Sequence, residues 1–226
     1  MDKVIISWSG GKDCALALYE LARNDSSEIT ALLTTITDGY DRISFHGVRR
    51  ELLELQSLSL GYSLEKVFIP IRSSNKEYEE QMRAVLVKHK AIDVSGVVFG
   101  DIFLEDVRAS RVNQLSEIGM KGIFPIWGID TVELSKRFID LGFKAIVVCV
   151  DTEVLDAEFA GREYDREFLL DLPKSVDPCG ENGEFHTFVY DGPIFRERIN
   201  VLRGENVLRE SRFSYCDLVI GRSDKQ

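Results

Sequence analysis

Short runs of β-branched and aliphatic residues alternate with longer stretches whose apolar positions recur every three or four residues, as far as about Trp127. This pattern predicts strands over 3–8, 29–36, 64–69, 94–99 and 122–125, and helices over 13–23, 47–60, 75–90 and 105–118. Val97-Val98-Phe99 is continuously apolar, as a strand covered on both faces should be. Ser74, with Glu77 three residues on, reads as a capping box. The alternation predicts an α/β fold: a doubly wound, parallel, five-stranded sheet with right-handed crossovers. Ligands then belong at the carboxyl ends of the strands, near a switch in strand order.

Beyond Trp127 the pattern changes. A helix over 131–141 and a strand over 145–150 precede an irregular acidic region, 151–177, and a strand begins at Phe185. We therefore expect a first domain over 1–127 and a second, smaller α+β domain over 128–226. The tail 222–226 is polar and reads as frayed.

Composition narrows the function classes. The chain has 226 residues, 44% hydrophobic and 29% charged, as ordinary globular proteins do. No apolar run approaches the roughly 20 residues that span a bilayer, and no secretory leader is visible, so a cytoplasmic protein without membrane association is expected. A net charge of −10 argues against bulk nucleic-acid binding. The four cysteines form no Cys-x-x-Cys pair, which argues against zinc or dithiol chemistry.

Two stretches carry the chemistry. The first is Ser9-Gly10-Gly11-Lys12-Asp13-Cys14, placed between a strand and a helix. Such a turn presents backbone N–H groups at a helix N-terminus, where the dipole contributes about half a positive charge, and it suits phosphate. Lys12 is expected to add a mobile positive charge. The spacing is not that of the common mononucleotide loop. The second is Asp177-Pro178-Cys179-Gly180-Glu181-Asn182-Gly183-Glu184-Phe185-His186-Thr187, which sets acids, an amide, a histidine and a hydroxyl beside a turn. It could bind metal, ammonia or a cationic substrate, or be a hairpin with solvated acids. Between them, Gly100-Asp101 ends a strand, and Asp101 could hold Mg²⁺ or cap the next helix. Arg108 and Arg111 share a helical face and suit bidentate contacts to phosphate or carboxylate. His46 lies in a long polar loop, 40–48.

The first stretch resembles the Ser-Gly-Gly-x-Asp-Ser loop of the N-type ATP pyrophosphatases, the PP-loop enzymes of HUP type, with Cys14 in place of the last serine. Together with Gly-Glu-Asn-Gly-Glu-Phe-His-Thr-Phe-Val over 180–189, it resembles the diphthine–ammonia ligase family; further matching segments are Thr37–Asp41, His46-Gly47, Gly100–Ile102 and Pro125–Trp127. The resemblance implies that ATP adenylates the carboxylate of diphthine on translation elongation factor 2, that pyrophosphate leaves, and that ammonia then displaces AMP. It implies ATP and Mg²⁺ as cofactors, elongation factor 2 and ammonium as partners, and leaves a homodimer open. It places ATP on Ser9, Gly10, Gly11, Lys12, Asp13, Cys14, Thr34, Thr35, Ile36, Gly100 and Asp101, with adenine at Thr34–Ile36. Mg²⁺ falls to Asp13 and Asp101, catalysis to Asp13, Glu181, Glu184 and His186, and substrate contacts to His46, Arg108, Arg111, Asn182 and Thr187. Two other classes share these features: another PP-loop adenylating enzyme, for example one acting on tRNA, and a non-catalytic adenine-nucleotide-binding protein.

Overall fold

The computed structural model describes residues 1–24, 27–44 and 46–221. In chain order these form β1 (Asp2–Ser7), α1 (Lys12–Arg23), β2 (Ser27–Thr37), β3 (Arg42–Ile43), α2 (Arg50–Leu60), β4 (Ser63–Ile69), α3 (Asn75–Lys90), β5 (Val94–Val98), α4 (Glu105–Ser116) and β6 (Lys121–Ile123). Then come α5 (Thr131–Asp140), β7 (Lys144–Asp151), a 3₁₀ turn (Ala157–Phe159), α6 (Arg166–Asp171), β8 (Phe185–Asp191), β9 (Val201–Arg209) and β10 (Phe213–Ile220). The tail over 222–226 lies outside the described residues.

The elements form two compact units, neither of them one continuous stretch. One comprises Met1–Ser9, Asp13–Ser44 and Tyr62–Gly128; the other comprises Gly10–Lys12, Phe45–Gly61 and Ile129–Gln226. A division at Trp127 alone would miss that the centre of the glycine turn and all of α2 pack with the carboxyl-terminal elements.

In the first unit, β1 pairs in parallel with β2 and β5, β2 with β4, and β5 with β6. The parallel order is thus β4-β2-β1-β5-β6, the expected five-stranded sheet. The chain reverses its direction of travel across the sheet between β1 and β5, so that is the switch point. The two-residue β3 adds antiparallel to the end of β2, inside a segment that the sequence presents as loop. Ile5, Leu33, Val67, Val94 and Val97 form the apolar centre. The start of α3 is fixed as expected: the Ser74 hydroxyl accepts from the Glu77 N–H, and the Glu77 carboxylate accepts from the Ser74 N–H at 2.7 Å. α4 is capped at Leu104, not at Asp101.

In the second unit an antiparallel sheet runs β8-β7-β10-β9. Phe138, Phe143, Phe168, Phe185 and Phe188 are its largest fully buried rings, and Tyr164 packs against Phe138, Phe168 and Phe185. The acidic stretch 151–177 is not irregular throughout: Asp156 caps the 3₁₀ turn and Asp165 caps α6. β9 lacks strict alternation because Arg203, Glu205 and Arg209 interrupt it, and it is almost wholly exposed, whereas β10 alternates between buried and half-buried positions over most of its length.

Burial predicts a contrast within α2 and β2. Leu32 is fully buried and Leu58 is 72% exposed. Urea unfolding should show Leu32→Ala losing about 2–5 kcal/mol and Leu58→Ala less than about 0.5 kcal/mol.

Candidate functional site

The centre of the first chemistry-bearing stretch, Gly10–Lys12, meets the second stretch inside the second unit. The carbonyl of Gly10 accepts hydrogen bonds from the Val189 N–H at 2.9 Å and from Gln56 Nε2 at 3.0 Å. The N–H of Lys12 donates to Thr187 Oγ1 at 3.1 Å. The Lys12 ammonium donates to the Cys179 carbonyl and lies 5.8 Å and 5.6 Å from the ring centres of Tyr164 and Phe185. β8 is the edge strand of its sheet, and the glycine turn satisfies part of that edge.

Two expectations change here. Lys12 is not a mobile charge: it is 3% exposed, and a carbonyl and two ring faces hold its ammonium. Thr187 supports the first turn of α1, which is a different task from touching a substrate. It satisfies one of the donors that every helix start leaves open.

The segment after Asp177 is folded around Glu184. Its carboxylate accepts from the Asp177 N–H at 3.1 Å, the Asn182 N–H at 3.0 Å and Asn182 Nδ2 at 2.9 Å. Asp177 Oδ2 accepts from the Glu181 N–H. Glu184 and Asn182 therefore hold the turn together. His186 lies on the other face of β8, with its ring 4.4 Å from that of His46. Burial, and next the positive charge of Lys12, push its pKa down to about 4 against a smaller opposite pull from Glu184. Its imidazole is thereby held neutral near physiological pH. Cys14 and Cys179 are both buried, and Cys14 Sγ lies 3.5 Å from Ser9 Oγ in place of the missing serine hydroxyl.

In the first unit, residues gather at the switch point. A Cβ at Gly100 would fall 2.7 Å from backbone atoms of Asp13 and Cys14, so only glycine lets the end of β5 approach the first turn of α1. Asp101 is ion-paired with Arg111: Arg111 Nη2 donates to Asp101 Oδ1 at 3.1 Å, and Nε lies 2.9 Å from Oδ2 without hydrogen-bond geometry. Its pKa is raised, chiefly by burial, with a further contribution from the nearby Asp13 charge outweighed by Arg111. Arg111 also covers the face of Phe99 at 4.3 Å, Phe99 stacks on Phe124, and Phe124 meets Trp127 edge-on. Arg108 lies over Trp127 at 4.5 Å and over Phe124 at 5.2 Å. Among the described residues its guanidinium has no hydrogen bond or ion pair, so its edge is open to an anion.

Of the expected adenine residues, Ile36 is fully buried and offers no side-chain surface. Thr34 is 2% exposed, and its hydroxyl has no hydrogen-bond partner among the described residues. The side chains of Thr35 and Tyr78 are hydrogen-bonded. Among the described residues no group of three or more His, Cys, Asp or Glu side chains could hold a metal ion. Asp13 and Asp101 are two carboxylates in mutual range, a set that suits Mg²⁺ only when phosphate oxygens and water complete the shell. Backbone donors at the start of α1, opened by a glycine at φ +81°, suit a phosphate.

Sequence reasoning missed Gln56, Tyr164 and Tyr78. Gln56 was legible in principle: Leu52, Leu53, Gln56 and Leu60 recur at helical spacing, which places an amide on the buried face of α2.

Residues 2–122 match the family model of the diphthamide synthase N-terminal domain, and residues 130–221 that of the diphthamide synthase C-terminal domain. A diphthine–ammonia ligase of Bos taurus is 31% identical over 207 residues, covering 88% of this chain and 77% of that protein. One of Mus musculus is 29% identical, covering 90% and 84%. One of Schizosaccharomyces pombe is 25% identical, covering 96% of this chain and 39% of that protein, so the chain spans well under half of that relative. Among solved structures, the predicted subunit of tRNA methyltransferase from Methanocaldococcus jannaschii is similar at a TM-score of 0.42 and 16% identity, covering 85% of this chain and all of that one.

The pKa of His186 sets a pH dependence. An unfolded histidine titrates near 6.5, and the folded one near 4, so the unfolded state binds more protons between those values. The stability contribution is complete above about pH 6.5 and is lost as pH falls through about 4. In urea unfolding near neutral pH and at about pH 4.5, His186→Phe should lessen the acid-induced loss by up to about 3 kcal/mol; equal losses in both proteins would contradict the assignment.

Proposed function

Because this chain belongs to the diphthamide synthase family, we propose that it is an ATP-dependent, AMP-forming amide ligase acting on the carboxylate of diphthine in elongation factor 2. The observation that carries this reading is the bonding of Gly10 and Lys12 in the glycine turn to Val189 and Thr187 of the second stretch. That contact unites the phosphate-binding turn with the family's carboxyl-terminal segment in one structure.

The reaction has two steps. A carboxylate oxygen of the substrate attacks the α-phosphorus of ATP and pyrophosphate leaves. The nitrogen of ammonia then attacks the acyl carbon, AMP leaves with the C–O bond electrons, and the nitrogen loses a proton to water or buffer. The chain's residues bind and orient. Backbone N–H groups at the start of α1, other than that of Lys12, which Thr187 takes, would hold the outer phosphates where charge develops on the leaving group. Asp13 and Asp101 would hold Mg²⁺, which neutralises phosphate charge. Arg108, supported by Trp127 and Phe124 and with no hydrogen bond or ion pair among the described residues, takes the substrate carboxylate before activation. Glu181 supplies negative charge for ammonium or for the trimethylammonium group of diphthine.

The test supplies ATP, Mg²⁺, ammonium and diphthine-bearing elongation factor 2, and follows AMP release together with amide formation by mass spectrometry. The reading expects AMP formation that depends on both protein substrate and ammonium. It expects Asp13→Ala to lower the rate at least about 100-fold and Arg108→Ala to raise KM for the protein substrate about tenfold with little change in KM for ATP. AMP formation that ignores the protein substrate would contradict it.

A further inference from the structure

Gln56 belongs to α2, about as far from the glycine turn in sequence as a helix and two strands allow, yet it is fully buried against that turn. Both hydrogens of its amide nitrogen are engaged, one by the Gly10 carbonyl at 3.0 Å and the other by the Val189 carbonyl at 2.6 Å. A Cβ at Gly10 would lie 2.8 Å from its oxygen, so the amide fills the space beside a glycine held at φ +81°. A buried amide with this bonding is costly to place and is poorly explained as filler.

The consequence lies in the geometry of one peptide. In a planar trans peptide the C=O and the N–H point in opposite directions. The peptide between Gly10 and Gly11 is flanked by two residues without Cβ, and such a peptide rotates with little steric resistance. Val189 and Gln56 together pin its carbonyl to one side. The Gly11 N–H is thereby aimed to the opposite side. One residue on, Thr187 Oγ1 accepts from the Lys12 N–H and fixes the next peptide. We infer that Gln56 and Thr187 are positioning residues that hold the Gly10–Lys12 backbone in its phosphate-binding orientation, Gln56 by pinning the Gly10 carbonyl and Thr187 by accepting from Lys12. This inference rests on the ATP reading proposed above.

The measurement compares two nucleotides on the full chain by titration calorimetry with Mg²⁺ present. AMP lacks the phosphates that the turn would hold, so its affinity reports the rest of the site. In the parent protein ATP should bind more tightly than AMP. Gln56→Met keeps the volume and removes the donors. It should weaken ATP about tenfold, the worth of one good hydrogen bond, and leave AMP unchanged. A role confined to packing would lower thermal stability and leave the ratio of the two affinities as in the parent, which overturns the inference. Should Gln56→Met fail to fold, Thr187→Val decides by the same ratio, with Thr187→Ser, which keeps the hydroxyl, expected to behave as the parent. An unchanged ratio in Thr187→Val then overturns the inference. A parent protein that binds no ATP refutes the proposed function itself and is recognised before any variant is made.

Discussion

The carbonyl of Gly10 accepts two hydrogen bonds, from the backbone of Val189 and from the amide of Gln56. Much of the site follows from this one group. A glycine turn on its own has many conformations and pays heavily in entropy to adopt one. Here an edge strand and a buried side chain select the conformation, so the donors at the start of α1 are arranged before any ligand arrives. Preorganised donors are the form of electrostatic stabilisation that costs least at the moment of reaction.

The same constraint reassigns neighbouring residues. Lys12 gives its ammonium to the Cys179 carbonyl, with Tyr164 and Phe185 beside it, and so ties the turn to the segment that precedes β8. Its charge contributes to keeping His186 neutral. Glu184 draws that segment into a compact turn through three hydrogen bonds. These polar groups serve the scaffold. Arg108, on its aromatic support, has no such scaffold partner among the described residues.

The fold was largely legible because its signals are local. Apolar runs bounded by turns gave the parallel strands, and Ser74 with Glu77 marked a helix start that the structure bears out. β9 was not legible, since an exposed edge strand with arginine and glutamate on it carries no period-two pattern. In the site, the two stretches could be picked out by residue type, but their roles could not. Whether Lys12 reaches a phosphate or a carbonyl depends on what packs beside it 167 residues away in sequence. Gln56 shows the converse case: an amide on an apolar helical face is visible in the sequence, while its partner is not.

The most direct test is a crystal structure of the protein with Mg²⁺ and a non-hydrolysable ATP analogue. The account predicts the outer phosphates within hydrogen-bond distance of backbone N–H groups in the first turn of α1, with the Gly10 carbonyl still on Val189 and Gln56 and the Lys12 ammonium still on Cys179. Phosphates bound elsewhere, or a turn that releases Gly10 and swings Lys12 onto the nucleotide, would contradict it.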